Sequence, residues 1–80
     1  MSGSDTLGRI IGLIKRVGGE VTGSVDGDTL FLKDLGMDSL TQIELISAVE
    51  AEFNLTVPDD EIVGFERVGD VLEFLERHGV

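Results

Sequence analysis

Hydrophobic positions along this chain recur at helical spacing. Leu7, Ile10, Ile11, Ile14 and Val17 fall at steps of three and four, which predicts an amphipathic helix over residues 5 to 17 with Asp5 available as its N-cap. Gly8 and Gly12 weaken it by about 1 kcal/mol each relative to alanine, and Gly18-Gly19 stops it. Ser39 to Phe53, free of glycine and proline and rich in Leu, Ala, Glu and Gln, is the strongest helical segment. At about 100° per residue, Leu45, Ile46, Val49 and Phe53 share one sector, which predicts the core face. Pro58 followed by Asp59-Asp60-Glu61 predicts a short third helix reaching Val63 or Phe65, with acids at its positive end. Arg67 to His78 predicts the last helix: Val68, Val71, Leu72 and Leu75 form its stripe, Phe74 lies beside the stripe, either packed or half exposed, and Gly79 marks its end.

Between the first and second helices, residues 18 to 38 combine loop-type glycines with Val25, Leu30, Phe31, Leu32 and Leu35. Side chains this apolar predict a long connection packed back on the core, with a helical turn of its own. Leu30-Phe31-Leu32 is too short to support a sheet. The expected fold is all-α, a single domain over residues 1–80: a small four-helix up-down bundle of three longer helices and one short one, with a long first loop.

Composition narrows the function. The chain has 80 residues and no cysteine, which excludes disulfides and thiolate metal sites. No apolar run approaches a membrane span and residues 1 to 10 lack a secretory signal, so a soluble cytoplasmic monomer is expected. A formal net charge of -10 disfavours nucleic acid and anionic membrane as partners and favours basic protein surfaces. From Asp34 to Glu66 there is no Lys, Arg or His at all. Such a tract serves equally as a solvated face or as a steering surface.

Ser39 stands where the loop becomes the strong helix. Ser39-Leu40-Thr41-Gln42 fits a capping box, in which the serine hydroxyl accepts a backbone N–H bond and the glutamine reaches back. Asp38 is an alternative cap, and would leave the Ser39 hydroxyl facing solvent. Leu40 and Ile43 lie off the core stripe beside carboxylates. An apolar centre rimmed by charge suits protein recognition, although both residues could instead widen the core. Asp26-Gly27-Asp28 reads as a turn, since it lacks the ligand spacing of a calcium loop. His78, the sole histidine, reads as a helix C-terminal residue. No nucleophile, base and orienting group can be assembled, so the chain is not expected to be an enzyme.

The tract Asp34-Leu35-Gly36-Met37-Asp38-Ser39-Leu40 resembles the prosthetic-group attachment motif of acyl carrier proteins. The likeness continues through Phe31, Glu44-Leu45, Glu50-Ala51-Glu52-Phe53, Val57-Pro58-Asp59 and Val68 to Leu75, and covers essentially the whole chain. This resemblance implies a 4′-phosphopantetheine arm, derived from coenzyme A, joined to the Ser39 hydroxyl by a phosphopantetheinyl transferase. It also implies acyl groups carried on that arm as thioesters, and acyl-loading, ketosynthase or other pathway enzymes with basic docking patches as partners. The matching docking positions are Asp34, Asp38, Leu40, Ile43, Glu44, Glu50 and Asp59. Candidates for an apolar acyl cleft between the second helix and the last two are Phe31, Ile46, Val49, Ile62 and Leu72. No metal site is expected.

Thr41, Ser47 and Ala51 stand where fatty-acid-type carriers often have an acid, a methionine and another acid, and Met37 stands where alanine is common. These departures favour a polyketide or other secondary-pathway carrier over the fatty-acid one, with a peptidyl or aminoacyl carrier as an alternative. A chain running from Met1 to just past the last helix is expected to be a discrete protein. A noncovalent acidic adaptor, with Ser39 only a cap, is the alternative of a different kind. Exposed carboxylates are screened within about 10 Å at 0.1 M ionic strength, so rates of arm loading should fall as salt is raised; stopped-time mass spectrometry across a salt series checks this, and a flat profile contradicts steering.

Overall fold

The computed structural model describes residues 3–80, with side chains from Asp5 onward; the extreme N-terminus of the expected domain lies outside the described residues. Four helices follow in order: α1 (Gly3–Arg16), α2 (Ser39–Phe53), α3 (Asp59–Ile62) and α4 (Val68–Arg77). The expected all-α bundle is what forms. α1 starts earlier than its hydrophobic pattern suggests, so Asp5 lies in the first helical turn instead of capping it. There its carboxylate still meets the positive end of the helix.

Each long helix ends on a left-handed residue. After α1, Gly18 adopts φ 100°; the Gly19 N–H reaches Ile14 O at 2.8 Å and the Gly18 N–H reaches Lys15 O at 3.3 Å. That pair of bonds is the Schellman closure. Asn54 ends α2 at φ 54°, a conformation asparagine tolerates better than most residues. Gly79 repeats the glycine solution after α4, with Val80 N–H bonded to Leu75 O at 3.0 Å.

One core unites all these elements. Ile10, Leu13 and Ile14 come from α1, Leu45, Ile46 and Val49 from α2, and Val68, Val71, Phe74 and Leu75 from α4. Of the two placements open to Phe74, packed or half exposed, the structure shows the packed one. Its ring meets Phe65 edge-on at 6.0 Å, a favoured aromatic geometry, while Leu72 takes the half-buried flank.

The first connection behaves as a structural element. Phe31, Leu35 and Met37 are all buried, each worth about 1.5–3 kcal/mol relative to exposure. A tight turn links them: Leu35 N–H reaches Leu30 O at 3.2 Å and Met37 N–H reaches Phe31 O at 2.9 Å. Leu32 departs from the expected packing, because the same turn points it outward and leaves it 70% exposed. The Asp26 region is indeed a turn, with Asp26 Oδ1 accepting the Asp28 N–H at 2.9 Å.

This connection is laced onto the start of α4. Phe31 N–H bonds Glu66 O at 3.0 Å and Val68 N–H bonds Thr29 O at 2.9 Å, making a single antiparallel rung at Leu30 and Arg67. Asp70 Oδ2 accepts the N–H groups of Glu66 and Arg67 at 2.9 and 3.0 Å, so its carboxylate closes the open end of α4. Burial would push the Asp70 pKa up, but these two backbone donors and the Arg67 guanidinium outweigh it and hold it below the usual aspartate value. Among the described residues no helix is long and apolar enough to cross a membrane.

Gly69 and Gly27 touch backbone to backbone, Gly69 N–H bonding Gly27 O at 2.8 Å. A Cβ on Gly69 would stand 2.6 Å from that oxygen, whereas one on Gly12 would meet nothing within 4 Å. Gly69→Ala should therefore destabilise the protein by about 1–3 kcal/mol, as overpacking does, while Gly12→Ala should stabilise it by up to about 1 kcal/mol. Urea unfolding followed by circular dichroism distinguishes the two.

Candidate functional site

The tract from Asp34 to Leu40 alternates bonded, buried and exposed residues. Asp34 Oδ2 accepts the Leu30 N–H at 2.8 Å and holds the turn. Leu35 and Met37 are buried. Between them Gly36 takes φ 63°, the left-handed region open to glycine. Asp38, in extended conformation, caps α2: its Oδ1 accepts the Thr41 N–H at 2.9 Å. Ser39 and Leu40 then emerge as the first exposed residues of the helix.

The capping-box reading of Ser39 fails on both bonds. The Gln42 N–H that the serine would accept bonds Asp38 O at 2.9 Å, Asp38 Oδ1 takes the Thr41 N–H as cap, and the Gln42 side chain turns away from the helix start to donate from Nε2 to Phe65 O at 2.6 Å. Among the described residues the Ser39 hydroxyl has no hydrogen-bond partner within the chain. A hydroxyl that is exposed, uncommitted and fixed at a helix start is accessible to another protein's active site. The Thr41 backbone N–H, helped by the Thr41 hydroxyl, holds the Asp38 carboxyl below the usual aspartate range, so a fixed negative charge stands next to Ser39.

The surface around Ser39 is apolar at its centre. Leu40 and Ile43 are 69% and 51% exposed and Val63, just past α3, is 83% exposed. Ser39, Gln42, Ile43, Ile62, Val63 and Phe65 line a hollow of about 280 Å³. A second hollow of about 320 Å³ includes Leu30, Phe31 and Leu32 in its lining and shares the Gln42 and Phe65 walls. Of the sequence-derived cleft candidates, Ile62 lines the first hollow and Phe31 the second; Ile46 and Val49 are closed in the core. Leu72 lines another depression, with Thr6, Glu76 and Val80. Pattern gave Gln42 only a capping role and Val63 and Phe65 only the end of a short helix, and none of the three a place in the site. Val63 alone left a trace, as an aliphatic stranded beside Gly64 after a helix too short to bury it.

The candidate docking residues divide in the same way. Asp38, Leu40, Ile43, Glu44 and Asp59 are exposed. Asp34 is exposed but committed to Leu30, and Glu50 is half-buried with its Oε2 accepting the Val57 N–H at 2.8 Å. Those two carboxylates hold loops. His78 stacks on Phe74, ring centroids 4.2 Å apart, at the end of α4.

A family model described as a phosphopantetheine attachment site matches residues 8–75. An acyl carrier protein of Prochlorococcus marinus is 34% identical over 76 residues, which span 95% of each chain. One from Rickettsia bellii is 33% identical over 70 residues, covering 88% of this chain and 81% of the relative. Among solved structures, a Mycobacterium tuberculosis chain assigned as an acyl carrier protein superposes with a TM-score of 0.81 at 25% identity, over 90% of this chain and 96% of the other. The chain belongs to the phosphopantetheine attachment-site family, as an acyl carrier protein. Such proteins are carriers without catalytic activity of their own, modified by a phosphopantetheinyl transferase and visited by pathway enzymes.

The Asp38 cap carries a pH signature. Its folded pKa is depressed, so its contribution to stability is present above the ordinary value of 3.8 and is lost as pH falls through the lower folded value. Asp38→Ala should lower the melting midpoint at neutral pH, Asp38→Asn should lower it less because asparagine also caps, and the alanine deficit should narrow in acid. Thermal melts of the three proteins from pH 7 to pH 2 check the ordering.

Proposed function

We propose that Ser39 carries the 4′-phosphopantetheine arm and that the face formed by the start of α2 and α3 presents the carried acyl group to enzymes of a polyketide or other secondary pathway. The carrying observation is the free, exposed Ser39 hydroxyl beside a cap supplied by Asp38. The adjoining hollow, with Ile43, Ile62, Val63 and Phe65 in its walls, fits an arm whose cargo is apolar. When bound, the arm supplies a terminal thiol that holds acyl groups as thioesters.

The chain's own share in attachment is to hold one oxygen in reach. Ser39 Oγ bonds to the phosphorus of coenzyme A that bears pantetheine, the pyrophosphate P–O bond breaks, and adenosine 3′,5′-bisphosphate leaves. The serine proton passes to a base of the transferase. The Asp38 carboxylate next to Ser39, the exposed Glu44 carboxylate further along α2 and Asp59 at the start of α3 address basic patches on the visiting enzymes. Leu40 and Ile43 supply the apolar centre of the contact, the desolvated part in which binding energy concentrates. Asp34 and Glu50 support that face by fixing the loops beside it.

The secondary-pathway reading rests on the neutral character of part of α2. Ser47 and Ala51 are exposed there, where fatty-acid-type carriers often present a methionine and an acid. A cytoplasmic setting goes with this reading.

Incubation with coenzyme A and a broad-specificity phosphopantetheinyl transferase should add the mass of one phosphopantetheine. Ser39→Ala should abolish the gain and leave the helical circular dichroism intact, since Ser39 makes no contact that α2 needs. Absence of a gain in the wild type, under conditions that modify a control carrier, contradicts the proposal.

A further inference from the structure

The two hollows beside α2 share a wall. Gln42 and Phe65 line both, and between them runs the Gln42 Nε2 to Phe65 O hydrogen bond of 2.6 Å. The acceptor is held in place: the Phe65 ring is buried against Phe74, and the next carbonyl, Glu66 O, accepts the Phe31 N–H at 3.0 Å. The donor is the terminal amide of a half-buried side chain. One side-chain bond therefore stands between a basin beside Ser39 and a basin beside Leu30 and Leu32.

We infer that Gln42 is a specificity-determining residue that sets the length of acyl chain this protein shelters. The inference rests on the reading that Ser39 carries the arm. The polar amides of such an arm are well solvated, whereas an apolar acyl end gains by leaving water. The basin beside Ser39 offers it Ile43, Ile62, Val63 and Phe65. To run on past Phe65, a chain has to displace the Gln42 amide, which leaves the Phe65 carbonyl without its donor beside apolar walls. Losing a bond while one partner stays desolvated is an unfavourable exchange. Short acyl chains are held in the first basin, and the ends of longer ones stay in solvent and do not enter the second.

The test uses full-length protein loaded by the transferase from acetyl-, butanoyl- and octanoyl-coenzyme A, with amide chemical shifts read by ¹⁵N NMR against protein bearing the unacylated arm. In the wild type, butanoyl and octanoyl arms should shift Ile43, Ile62 and Val63 and leave Leu30, Leu32 and Lys33 in place. In Gln42→Ala, and in Gln42→Glu, which keeps the shape but removes the donor, the octanoyl arm should shift Leu30, Leu32 and Lys33 at least as much as Ile43. Octanoyl-induced shifts at Leu30 to Lys33 in the wild type overturn the inference, as does a wild type in which neither basin responds. That measurement stands even where a variant fails to fold. Folded variants that keep the wild-type boundary overturn it too. A protein that gains no arm at all refutes the Ser39 reading instead, and is recognised by mass before any spectrum is taken.

Discussion

Burial of Phe31, Leu35 and Met37 is the constraint on which the rest of the structure depends. These three side chains come from a connection with no regular secondary structure, and they turn it into part of the core. Met37 is the decisive one, because it lies two residues before Ser39. With Met37 fixed inside and Gly36 in the left-handed region, the chain can only leave the core through Asp38. Asp38 then caps α2, and Ser39 faces out as a geometric consequence. The same connection is bonded to the start of α4 through Phe31 and Val68, so the presentation of one hydroxyl draws on loop, core and last helix together.

The fold was legible where periodicity carries it. The three longer helices follow from three- and four-residue spacing, and the glycine stops after α1 and α4 from the left-handed geometry they require. The connection was legible only as too apolar to be free, because Phe31, Leu35 and Met37 follow the path of a turn and obey no period. Leu32 shows the limit: it shares the composition of its neighbours and points the other way. For a related reason periodicity left Phe74 open between packing and half exposure. On α4 the buried set Val68, Val71, Phe74 and Leu75 is centred nearer the aromatic than a stripe drawn through Leu72 implies, since Phe65 packs there from another segment.

The site divides along the same line. Ser39 and Asp38 stood out as alternative caps at the loop-to-helix boundary, and Leu40 and Ile43 because an apolar pair off the core stripe conflicts with a simple amphipathic helix. Their roles needed tertiary information. Whether Asp38 or Ser39 caps α2 depends on where Met37 is anchored, and the Gln42 bond to Phe65 spans 23 positions in sequence. Carboxylates that look alike in sequence do different work: Asp34 and Glu50 accept backbone N–H groups and hold loops, while the Glu44 and Asp59 side chains are exposed and accept no hydrogen bond among the described residues. The net charge of -10 is therefore partly structural.

The sharpest measurement is the position of the added group. Proteolysis of the arm-loaded protein followed by tandem mass spectrometry reads each serine separately. With Asp38 as the cap and Ser39 exposed, the phosphopantetheine mass should fall wholly on Ser39, with Ser24 and Ser47 unmodified. Modification at Ser47, or spread over several serines, would contradict the claim that the buried connection and the Asp38 cap present one hydroxyl.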